Sequence, residues 1–125
     1  MAYAATVTLI HLGGPDYILV ILETEAGAAT EATCAGLPMK GRILTQTATK
    51  TAGSAATVAP ILVKTAASAA AVDTIVQATA AADQSNSFDA GAQYESTGGT
   101  LYHRSVCNAG SDNAIVTQYR IKAGW

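Results

Sequence analysis

Large rings and charges are both scarce in this sequence. Among 125 residues there is one Phe, one Trp and five Tyr, and charged residues make up 13% of the chain. Few large side chains mean a thin core, because apolar burial stabilises by about 25 cal/mol per Å² and small residues bury little. Half of the residues count as hydrophobic, yet 27 of those are Ala. Charge well below the ~25% of ordinary domains points to a surface that is partly covered in the working state, the alternative being a monomer with a Thr/Ser-rich surface. A net charge of −2 supplies no basic field for nucleic acid and no cationic patch for anionic lipid.

Other absences narrow the field further. The longest apolar run, residues 17–22, is six residues, far short of a membrane span, and reads as a central strand buried on both faces. The start, Met1-Ala2-Tyr3-Ala4-Ala5, lacks the basic residues of a secretory signal. Two cysteines, Cys34 and Cys107, are therefore expected to be reduced, small apolar side chains. No Cys-x-x-Cys, His-Glu-x-x-His or acidic calcium-loop spacing occurs, so no metal or cofactor is expected. Gly110-Ser111-Asp112-Asn113 could offer oxygens to calcium, but a hairpin turn accounts for the same residues.

What is present is alternation. Ala and Thr fill 43 positions, and Thr45, Thr47, Thr49 and Thr51 fall on every second place. A two-residue period places Leu44, Gln46, Ala48 and Lys50 on one strand face and Ile43, Thr45, Thr47 and Thr49 on the other. β-branched Thr suits a pleated surface and resists helix. Strands are also expected over 6–11, 17–24, 31–35, 56–64, 100–106 and 114–122, with Pro60 marking an edge strand or bulge. Residues 23–31 carry three acidic residues and read as an exposed connection, and residues 83–86 and 89–98 as polar loop or weak strand. Residues 65–83 fit either period. A strand is preferred there, with a short helix over 66–83 as the alternative. The expected architecture is all-β: one domain over 1–125, about eight short strands, a β-sandwich or jelly roll.

Candidate chemistry is sparse. His103, Ser105 and Cys107 share one strand face, but no third group is placed to orient the histidine and no Gly-x-Ser-x-Gly elbow occurs. That face is expected to turn to solvent or a partner, and the chain is not expected to be an enzyme. Tyr102 and Tyr119 are expected to pair across the last two strands. Tyr94, Tyr102 and Trp125 could alternatively form a glycan-binding platform. Tyr102, Arg104, Tyr119, Arg120 and the tethered Trp125 are the candidate interface residues.

Two stretches carry a resemblance. Residues 42–62, with the Thr alternation and Ala52-Gly53-Ser54, and residues 98–125, from Gly98-Gly99-Thr100-Leu101-Tyr102-His103-Arg104-Ser105 to Ala123-Gly124-Trp125, together resemble small virion structural proteins of tailed bacteriophages. These decorate or cement the capsid. The resemblance implies a β-rich domain, commonly trimeric, bound to the major capsid protein on the outer surface of the head and assembled in the host cytoplasm. A head–tail adaptor or tail component is the alternative within the virion.

Overall fold

The computed structural model describes residues 3–27, 31–65, 74–77, 81–96 and 98–124. Nine strands occur among the described residues: β1 (Ala4–Gly13), β2 (Asp16–Ala26), β3 (Ala32–Cys34), β4 (Lys40–Ala52), β5 (Val58–Val63), β6 (Thr74–Gln77), β7 (Asp83–Glu95), β8 (Leu101–Cys107) and β9 (Asn113–Ala123). They form two antiparallel sheets, β1-β2-β9-β4-β7 and β3-β8-β5-β6. The sheets pack face to face, with β1 across from β3, β2 from β8, β4 from β5 and β7 from β6. This is the expected all-β sandwich. In the ambiguous stretch, β6 and the start of β7 are strand, and residues 66–73 and 78–80 lie outside the described residues.

Several expectations need correcting. The Thr strand does not keep one phase: the β4 pairings skip a position between Ile43 and Thr45, a bulge at Leu44. Ile43, Gln46 and Ala48 therefore all point into the core, and Leu44 joins the Thr residues outside. Pro60 lies in β5, an inner strand between β8 and β6, rather than at an edge; it pairs with Ser105 of β8, and the pairing with β6 starts only at Ile61. Residues 83–95 are a full strand of 13 residues. The turn at 110–113 does not close a hairpin: the connections at 53–57 and 108–112 both cross between the sheets, since β4 and β9 belong to one and β5 and β8 to the other.

Side-chain clasps hold those crossings. Asn113 accepts from Ala55 N at 2.9 Å and donates to Ala26 O at 3.1 Å and Ala109 O at 3.2 Å. Asn108 accepts from the amides of Ala56 and Thr57, both at 2.9 Å. Asp112 accepts from the Ser54 hydroxyl at 2.7 Å, and this bond holds its carboxyl below the usual carboxylate range. The oxygens considered for calcium are thus bonded to a neighbouring loop. Gly53 is needed here, with φ at +112° and the Cα of Asn113 2.5 Å from where a Cβ would stand.

The core is divided in two. Leu19, Ile21, Ile43, Leu62, Leu101, Tyr119 and Ile121 belong to a larger cluster, and Ala26, Ala55, Val58, Cys107 and Ile115 form a smaller one. Along β2, β8 and β9 the residues between the two clusters are polar: Glu23, then His103 and Ser105, then Thr117.

Candidate functional site

Alternation carries the polar residues inward. On β2, Leu19, Ile21 and Glu23 share one parity, so the carboxylate enters the core behind two buried aliphatics. On β8, His103 and Ser105 follow Leu101 in the same way, and both are at 0% exposure. The face expected to meet solvent is the buried one. Glu23, expected in an exposed connection, is the residue that sequence reasoning missed. Its parity with Leu19 and Ile21 was the available signal.

These groups form one connected network. Glu23 Oε1 accepts from Ser105 Oγ–H at 2.6 Å and lies 3.0 Å from His103 Nε2, and Oε2 accepts from the Tyr3 hydroxyl at 2.7 Å. His103 Nδ1 lies 2.7 Å from the Tyr119 hydroxyl, and Gln46 Nε2 donates to that oxygen at 3.2 Å. Both ring nitrogens of His103 and both carboxylate oxygens of Glu23 thus have partners inside the sandwich. The His103 and Tyr119 rings meet edge to face at 5.6 Å.

Electrostatics follows from this geometry. Burial pushes the Glu23 carboxyl up. The hydrogen bond and electrostatic pull of His103, with the donors Ser105 and Tyr3, outweigh it and leave the carboxyl below its ordinary 4.5. Burial pushes Tyr3 and Tyr119 up, and pushes Cys34 up to about 12. Both thiols are free and buried, and such groups are inert.

A glutamate, a histidine and a serine in contact invite comparison with a catalytic triad, but the roles do not match. Glu23 and Ser105 share the same ring nitrogen, and the serine proton goes to the carboxylate. In a triad the acid holds one nitrogen and the nucleophile meets the other. With Glu23, His103 and Ser105 all enclosed, the arrangement holds a buried charge and does not present a nucleophile. Among the described residues no group of three or more His, Cys, Asp or Glu could hold a metal ion.

The open chemistry of the molecule is apolar and lies on the outer face of the larger sheet. The register aligns Ile10, Ile18, Arg120, Thr45 and Ser87 in one row, then Thr8, Val20, Gln118, Thr47 and Ser85, then Thr6, Leu22, Val116, Thr49 and Asp83. In the β1–β2 half of this face Ile10, Ile18, Val20 and Leu22 stand beside Thr6 and Thr8, and the β4–β7 half is Thr and Ser apart from Asp83. Leu22 is 46% exposed and Ile10 43%. The run at 17–22 is thus buried on one face only, and Ile18, Val20 and Leu22 form the open side.

The five candidate interface residues do not share a surface. Tyr102 and Arg104 are half-buried on the outer face of the smaller sheet, and Arg120 is exposed on the outer face of the larger one. Tyr119 is fully buried, bonded to His103 and Gln46, and its strand does not pair with that of Tyr102. Trp125 lies outside the described residues. Tyr94 is also interior, its hydroxyl donating to Pro38 O at 2.8 Å, which removes one ring from the glycan platform. No protein-family model, curated protein or solved structure matches the chain.

Proposed function

We propose that this protein is a capsid decoration protein of a tailed bacteriophage, which binds the outer surface of the head and cements contacts between shell subunits. The observation that carries the reading is the aliphatic outer face of the β1–β2 hairpin, formed by Ile10, Ile18, Val20 and Leu22. A cement protein works through many weak, shape-matched contacts multiplied over a lattice. An open aliphatic face bordered by Thr and Ser hydroxyls supplies such contacts, and low charge reduces the desolvation cost of covering it. The residues with reactive side chains on β2 and β8, Glu23, His103, Ser105 and Cys107, are enclosed, in keeping with a non-catalytic role.

The test is co-sedimentation with heads assembled without this chain. Retention on heads, a higher temperature of head disruption, and loss of both in Leu22→Lys are expected. Failure to bind would overturn the reading. Closed rings of six or twelve copies would select the head–tail adaptor instead.

A further inference from the structure

Among the described residues strand β1 has a free edge, for it ends the larger sheet and pairs only with β2. Its outer face is bare, and its inner face is covered only at Val7 and Leu9, which pack against the larger core cluster. Its ten residues extend roughly 33 Å, whereas the three residues of β3, lying across from it, extend roughly 10 Å. Only Val7 and Leu9 are half-buried, and the other eight residues are exposed. Edge strands of this length are usually blunted by lysine, proline or a bulge, since their unpaired amides and carbonyls template association. None of these devices occurs over residues 4–11, which hold no Asp, Glu, Lys or Arg and keep an unbroken register with β2. The one titratable side chain, His11, lies over the Tyr17 ring at 4.4 Å, with its Nε2 2.8 Å from Gly14 O in its own turn.

The opposite edge of the same sheet is built differently. β7 carries Asp83 at its start and Glu95 at its end, and its residues 88–91 bulge opposite Leu44, between the pairs Ile43–Ala92 and Thr45–Ser87. An acidic, interrupted edge offers a neutral, regular strand neither countercharge nor continuous register. The partner that matches β1 is another β1.

We propose that β1 is an intermolecular strand. Two copies join their larger sheets edge to edge, antiparallel about a twofold axis at Thr8, into one ten-stranded sheet. In that register Thr8 meets Thr8 of the second copy, Val7 meets Leu9 on the core side, and Thr6 meets Ile10 on the outer side. Small or branched residues thus face large ones, and no like charges meet. The aliphatic outer faces of the two hairpins become continuous across the axis. This inference goes beyond the decoration reading and departs from the threefold symmetry that the resemblance implies.

The test is sedimentation velocity across about 1–100 µM, the range that populates a micromolar dimer. Wild type is expected to reach twice the monomer mass. Thr8→Lys, which sets two ammonium groups face to face, is expected to halve that mass while the far-ultraviolet spectrum stays that of a β protein. Thr8→Cys is expected to oxidise to a disulfide-linked dimer, because directly opposed residues lie about 4.5–5.5 Å apart, within disulfide range. Ser85→Cys on β7 is expected to give none. A wild-type monomer at the highest concentration, a trimer, or a dimer that survives Thr8→Lys would overturn the proposal. A Thr8-dependent dimer that ignores capsids would support it and overturn only the decoration reading.

Discussion

The larger sheet carries Glu23, Gln46 and Thr117 on its inner face, and Ile10, Ile18, Val20 and Leu22 on the outer face of its margin. The middle of the sandwich and its β1–β2 hairpin thus invert the ordinary sorting of polar and apolar groups. Inside, each polar group needs a particular partner, so the network specifies how the two sheets sit. Outside, aliphatic groups need only shape, which suits a surface awaiting another molecule. The contrast assigns the polar residues to folding and the apolar ones to contact.

The sharpest way to break this contrast is to remove the carboxylate. Glu23→Ala leaves His103, Ser105 and Tyr3 without their common acceptor, and a loss of about 3–5 kcal/mol is expected in denaturant unfolding. A loss near zero would show that the inner network does not hold the sheets. Acid probes the same group more gently. Because folding lowers the Glu23 pKa, its stabilising contribution is complete above the ordinary value of 4.5 and fades as pH falls through the folded-state value. The melting-temperature gap between wild type and Glu23→Gln is therefore expected to narrow below pH 4.5, and a constant gap would contradict the assignment.

Thr117 sharpens the comparison from the other side. Its hydroxyl is buried and has no hydrogen-bond partner among the described residues, so Thr117→Val is expected to stabilise the fold by roughly 1 kcal/mol. The smallest effect belongs to the hairpin face. Leu22→Thr is expected to change stability by no more than about 0.5 kcal/mol while weakening capsid retention. A large drop in melting temperature would mean that Leu22 serves the core after all.

Local pattern carried the strands further than it carried the site. Alternation at 42–51 identified a strand, but one inserted residue at Leu44 moved Ile43 to the face of Gln46 and Ala48, and a period count has no access to a bulge. Gly53 and Asn113 looked like turn residues and are, yet which sheet each flanking strand joins depends on pairings tens of residues apart. The polar network was hidden for a different reason. Glu23 lies 80 positions from His103, and a carboxylate at the end of an apolar run reads locally as the place where the chain returns to water.

The bulged, acidic margin of β7 bears on how far assembly can proceed. A sheet with two receptive margins would add copies without limit and grow into a filament, as open head-to-tail contacts do. On the proposed pairing, one margin accepts a neighbour and the other, with Asp83, Glu95 and its bulge, refuses it, so growth along the sheet stops after a single addition. The stop is written into the far strand, not into the one that makes the contact.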